Sequence, residues 1–132
     1  MQCPDCGGST VAFDVPDDLR SHAPASTTML CAECLRTFPA AEDAAADDDA
    51  DSDEPTFAAV SDGFPTGRAG VATALLCGHL DSLALHREAV EALVEAAETA
   101  GADVWLTLDR LADGRDAHFD VDRRRVQIEE FV

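Results

Sequence analysis

The sequence predicts a small α+β protein, with short β-hairpins at the N-terminus and a mostly α-helical C-terminal domain. Three observations carry this expectation. Cysteines fall in two CxxC pairs, Cys3/Cys6 and Cys31/Cys34, inside the first forty residues. An acidic run follows, and from Thr56 onward apolar residues recur at helical spacing. The expected organisation is a metal module over 1–40, a flexible acidic linker over 41–55, and a helical domain over 56–132.

The cysteine pairs are read from chelation geometry. Two cysteines separated by two residues sit on one tight knuckle and direct both sulfurs at a single ion. Twenty-four residues separate Cys6 from Cys31, enough for a short hairpin that brings in the second knuckle. Four thiolates at about 2.3 Å complete the tetrahedron of a closed structural zinc site. Cys3, Cys6, Cys31 and Cys34 are therefore the expected ligands of one Zn²⁺, and four cysteines leave no open position for catalysis. The same ligands suit iron in a rubredoxin-like centre. The thin aromatic complement of the segment, Phe13 and Phe38, argues against that. Disulfides require an oxidising compartment, and no apolar signal segment precedes Cys3. A redox CxxC normally follows a strand of a larger α/β domain. In the first knuckle Gly7 permits a positive φ. The second, Cys31-Ala32-Glu33-Cys34-Leu35-Arg36, has no such glycine, so its turn must be made differently.

Around these knuckles, residues 9–15 alternate as a strand that Pro16 ends. Residues 17–22 suit one helical turn. Residues 27–30 form a second strand entering the second knuckle, and residues 35–38 leave it. The run 41–55 carries eight acidic residues spaced mainly by alanine. It has no larger apolar side chain to bury, so it cannot offset its ordering entropy. A calcium loop there would need a central glycine and a terminal glutamate, and neither is present.

Beyond the linker, Phe57 and Phe64 are expected to anchor an irregular entry to the core. Residues 69–80 are apolar almost all round, which marks a helix buried inside a domain or against another subunit. The stretch is too short and too interrupted for a membrane span. Leu83 and Leu85 continue the apolar run through a bend. Val90, Leu93, Val94 and Ala97 then recur at i, i+3, i+4 and i+7, with Glu88, Glu91, Glu95 and Glu98 opposite. Gly101 is the expected left-handed stop. Residues 103–112 and 120–132 favour helix, with Asp122 the expected N-cap of the second, and strand pairing of the two segments stands as the alternative.

Net charge sets the environment. All nine basic residues are arginine, and 27 carboxylates bring the formal charge to −18. In dilute salt such a chain repels itself. At molar salt the Debye length falls to about 3 Å and the repulsion is screened. A halophilic cytoplasm is therefore the expected setting. Nucleic-acid binding would rest on Arg20, Arg36 and the cluster Arg123-Arg124-Arg125, whose field acidic neighbours largely cancel. His79 and His86 are seven apart and share a face if their helix is unbroken, but with no carboxylate beside them they support a metal only weakly. Cys77 reads as core packing, and His22 and His118 as loop residues. No glycine-rich phosphate loop, nucleophile elbow or paired-carboxylate constellation appears, so enzymatic activity has no support among the residues.

Cys3-Pro4-Asp5-Cys6-Gly7 with Cys31-Ala32-Glu33-Cys34 resembles the zinc ribbons of small CPxCG-type zinc-finger proteins of halophilic archaea. Residues 64–67, 80–85 and 108–113 are similar to a longer haloarchaeal family of uncharacterised function. That resemblance spans nearly the whole chain and implies no activity; only the four cysteines carry over. The second knuckle departs from the CPxCG form. The expected role is that of a non-catalytic, zinc-binding adaptor that meets a protein partner or a second copy through its helical domain. The alternative is a nucleic-acid-associated regulator of transcription or translation.

Overall fold

The computed structural model describes Cys3 and residues 7–23, 25–39, 64–65, 67–80, 85–112 and 120–131. Cys6, the acidic run 41–55, Phe57, Leu83 and His118 lie outside the described residues. Among the described residues the fold is small α+β: a three-stranded antiparallel sheet followed by four α-helices.

Strand β1 covers Thr10–Asp14 and ends ahead of Pro16, whose fixed φ opens a 3₁₀ helix over Asp17–His22. Strand β2, Thr27–Cys31, returns antiparallel with Thr10 opposite Cys31 and Asp14 opposite Thr27. Strand β3, Thr37–Pro39, pairs with β2 from the other side, so β2 is central. The expected strand leaving the second knuckle thus begins two residues later than Leu35.

Helix α1 spans Gly67–His79 and is buried on nearly every side, as its composition demands. Its hydroxyl residue Thr73 is fully buried and donates to the Ala69 carbonyl at 2.8 Å, so the core holds no stranded donor there. Helix α2, Arg87–Thr99, buries Val90, Leu93, Val94 and Ala97, the four positions of its apolar period. It stops in a Schellman motif: Gly101 has φ +102°, its N–H bonds the Glu98 carbonyl at 3.0 Å, and the Ala102 N–H bonds the Ala97 carbonyl at 2.9 Å. Leu85 does not continue the apolar run into the core. It stands 83 % exposed in the turn before α2.

The two ambiguous segments are both helices, α3 over Val104–Leu111 and α4 over Val121–Phe131. Side-chain caps decide the matter locally. Asp103 Oδ1 accepts from the Leu106 N–H at 3.0 Å at the start of α3. At α4 the cap is Asp120, which accepts from the Arg123 N–H at 3.1 Å, and not Asp122, which sits inside the first turn. The carboxylate must precede the first helical residue to reach the N3 amide, and only Asp120 does.

A continuous buried cluster joins sheet and helices. Phe13, Val15, Leu19, Leu30 and Leu35 from the sheet region belong to the same core as Phe64, Val71, Leu75, Leu93, Leu108 and Ile128. Whether the metal module docks on the helices could not be read from the sequence; it does dock. The closest approach is at Gly78, where a Cβ would stand 2.1 Å from Thr37 Oγ1 and 2.9 Å from its Cγ2. Both branches of a β-branched side chain are in the way, so rotation alone cannot make room. Gly78→Ala is expected to separate α1 from β3 and to cost about 1–3 kcal/mol in chemical denaturation, despite alanine's better helix propensity.

A surface clamp reinforces the same contact. Arg68 donates two bonds to the Asp18 carboxylate, one of them from Nη1 to Oδ1 at 3.0 Å, tying the start of α1 to the 3₁₀ helix. Hydrogen bonding from Arg68 holds the Asp18 carboxyl below its ordinary range. A depressed carboxylate stabilises the fold above its unfolded pKa and ceases to as pH falls through its folded one. The melting-temperature difference between the wild type and Asp18→Asn should therefore be present at neutral pH and vanish in acid. Because both groups are exposed, that difference should be small and should shrink with added salt.

Candidate metal centre

Three thiols converge where the N-terminal segment meets the end of β2. Cys3, Cys31 and Cys34 are buried, and their sulfurs all lie within 4.8 Å of one another. Cys3 Sγ and Cys34 Sγ are 3.8 Å apart. A disulfide would bring them to about 2.05 Å. Two sulfurs at about 2.3 Å from one ion, at the tetrahedral angle, stand roughly 3.8 Å apart. The spacing is that of neighbouring ligands on a shared ion. Three buried thiols this close can hold a metal ion, and thiolates select zinc, copper(I) or iron–sulfur chemistry over hard cations such as magnesium or calcium.

The backbone of the second knuckle turns two amides towards its first sulfur. Glu33 N–H and Cys34 N–H each point at Cys31 Sγ at 3.3 Å. Both amides are placed to hydrogen-bond that one sulfur. The knuckle closes through Leu35 N–H to the Cys31 carbonyl at 3.1 Å and Cys31 N–H to the Arg36 carbonyl at 3.0 Å. The first knuckle repeats this pattern, with Gly7 N–H to the Cys3 carbonyl at 2.9 Å and Cys3 N–H to the Gly8 carbonyl at 2.8 Å. The two turns share these closing bonds at equivalent places in the sequence.

That equivalence explains how a knuckle without glycine is made. Gly7 has φ +78°, and Leu35, in the matching place, has φ +63°. A left-handed leucine costs roughly 1–2 kcal/mol. Leu35 is fully buried in the common core, and burying a leucine contributes about 1.5–3 kcal/mol. Burial therefore offsets the strain, and the second knuckle is locked by packing where the first is freed by glycine. Gly8 has a separate role: a Cβ there would meet Glu33 Cγ at 2.5 Å and Cys31 Sγ at 3.3 Å. Its bareness lets the two knuckles close on each other. Phe38 packs against the thiols from the side.

The other singled-out residues are placed as follows. Cys77 is fully buried in the core of α1, as expected of a small hydrophobe. Arg20 pairs with Asp17 and donates to the Val15 carbonyl at 3.1 Å. Arg124 donates to Gln127 at 2.7 Å, and Arg125 donates to the Trp105 carbonyl at 3.2 Å and lies 3.5 Å from Asp109. Arg125 thus ties α4 to α3, while the Arg124 bond stays within α4. His79 and His86 do meet, with Nδ1 atoms 3.1 Å apart, but not on one helix face. Helix α1 ends at His79 and α2 begins after His86, so the two imidazoles stand at the ends of two different helices.

Sequence reasoning found Cys3, Cys31 and Cys34 and missed the parts played by Leu35 and Gly8. Only the alignment of Gly7 with Leu35, each following its second cysteine, hinted at Leu35. No helix among the described residues is long and apolar enough to cross a membrane. No curated protein and no solved structure gives a significant match to the chain. A family model does match, across residues 2–132: the chain belongs to the family of unknown function DUF6276.

Proposed function

We propose that this protein is a non-catalytic, zinc-stabilised recognition protein of a halophilic cytoplasm. One Zn²⁺ is held by Cys3, Cys6, Cys31 and Cys34, and residues 41–55 tether the ribbon of 1–40 to the helical part of 56–132. The observation that carries this reading is the 3.8 Å spacing of Cys3 and Cys34 beside a Cys31 sulfur that receives two backbone amides. Zinc acts by holding the ribbon's shape. Closed thiolate coordination leaves no site for substrate, so the role is recognition.

The recognition surface is not α1. Its apolar girth is already covered by the chain's own sheet and helices. Helices α3 and α4 are better placed, since they leave Leu106 and Val126 exposed at 44 % and 52 %. A protein partner fits this reading better than nucleic acid, because Arg20, Arg124 and Arg125 already serve internal contacts.

Metal analysis of protein purified at native salt tests the first half, with one zinc per chain expected. Serine at Cys6 should lower that occupancy as serine at Cys31 does. Affinity capture in molar potassium salt tests the second. A specific protein that is retained by the wild type and lost on Leu106→Asp or Val126→Asp supports it. Metal occupancy below half, or a partner that binds both variants equally, counts against the respective half.

A further inference from the structure

The end of the 3₁₀ helix meets the end of α1 and the start of α2. His79 closes α1, His86 precedes α2, and the carbonyl of His22 comes from the end of the 3₁₀ helix. His79 Nε2 lies 2.6 Å from that carbonyl, which can only accept, so Nε2 carries the proton. In neutral His79 the lone pair is then at Nδ1. This nitrogen faces His86 Nδ1 at 3.1 Å.

A ring nitrogen fixed as a lone-pair donor by a backbone carbonyl on the opposite nitrogen is the arrangement of metal-bound histidines. The spacing agrees. Two nitrogens at about 2.1 Å from one ion, at 90–110°, stand roughly 3.0–3.4 Å apart. Ring orientation agrees as well. The rings are perpendicular, at 89°, with centroids 4.9 Å apart, less than a head-on contact through both nitrogens would give. The lone-pair directions are thus inclined to the Nδ1–Nδ1 line, as ligands of one ion require and a straight N–H···N bond does not. His86 is exposed, so an ion has access.

We propose that His79 and His86 form a second metal site, separate from the cysteines, that takes a borderline divalent transition ion. Imidazole nitrogen suits nickel, copper and zinc, and water completes the coordination. Among the described residues no carboxylate or further imidazole joins the two histidines in a three-ligand group. To bind, His86 takes the tautomer that carries its proton on Nε2 and presents the Nδ1 lone pair to the ion. The joint would be pinned by the ion, coupling the end of α1 to the start of α2.

The test is nickel titration of the full chain as purified, with whatever metal its cysteines hold. One Ni²⁺ per chain is expected beyond that metal. His86→Ala, at an exposed position, should weaken this uptake by roughly tenfold or more. His79→Ala should do the same, with circular dichroism checking that each variant remains folded. In the wild type, substoichiometric Cu²⁺ should broaden the ring resonances of His79 and His86 ahead of those of His22 and His118. Undiminished nickel uptake by folded His86→Ala would overturn the site, as would equal broadening of all four histidines. Because the cysteine metal is measured separately, loss of the thiolate reading would leave this result intact.

Discussion

Removing the proposed zinc from the cysteine cluster is expected to unfold the helices together with the ribbon. Structural zinc contributes about 10–16 kcal/mol to the folding of zinc-finger peptides at neutral pH. A domain of this size has a net stability of only about 5–15 kcal/mol. Loss of the ion therefore exceeds what the remaining core can supply, if core and ribbon are one cooperative unit. Continuity of the buried cluster says that they are: Leu30, one residue from Cys31, and Leu35, one residue from Cys34, lie in the core shared with Val71 and Leu75 of α1. Once the second knuckle opens, Leu35 has nothing to hold it in its left-handed conformation. A stoichiometric chelator should thus abolish the far-UV helical signal in molar salt, and Cys31→Ser should reproduce the effect without chelator. Helical signal that survives full metal release would show instead that α1–α4 fold on their own.

Leu35→Ala is expected to cost about 2–5 kcal/mol, at the upper end for a core truncation, because the site cannot collapse around a sheet anchored by the cysteines. More telling is the order of the variants. At ordinary sites glycine is worse than alanine by roughly 0.5–1 kcal/mol. At φ +63° the order should reverse or level, since glycine relieves about 1–2 kcal/mol of left-handed strain that alanine retains. Gly7→Ala supplies the control. A Cβ there meets nothing within 4 Å, so its cost, about 1 kcal/mol, is that of the backbone alone. Denaturant midpoints of the three variants decide the matter. If Leu35→Gly proves clearly less stable than Leu35→Ala, the knuckle does not carry the strain assigned to it.

Both expectations turn on a residue that the sequence does not advertise. A leucine after CxxC reads as an ordinary hydrophobe, and nothing in its type reveals a positive φ. What betrays it is the repetition of the first knuckle's hydrogen bonds in the second, a relation of backbone to backbone. Asp120 and Asp103 show a similar limit. Each caps a helix through an amide three residues on, yet Asp122 was an equally good candidate by type. Capping depends on where the first helical turn begins, and that is fixed by which apolar residues the core accepts.

By itself the sequence determined the order of the elements, the α+β class and the cysteine cluster. Those follow from local regularities: spacing within a knuckle, alternation in strands, and the 3.6-residue period of α2. Tertiary structure decided the rest. It set the docking of the ribbon against α1 at Gly78 and Thr37, the left-handed Leu35, and the meeting of His79 with His86. Each of these joins residues whose proximity is created only when apolar surfaces from distant segments bury one another. Such burial is non-directional and proportional to area, so no short pattern in the chain encodes the partner it will find.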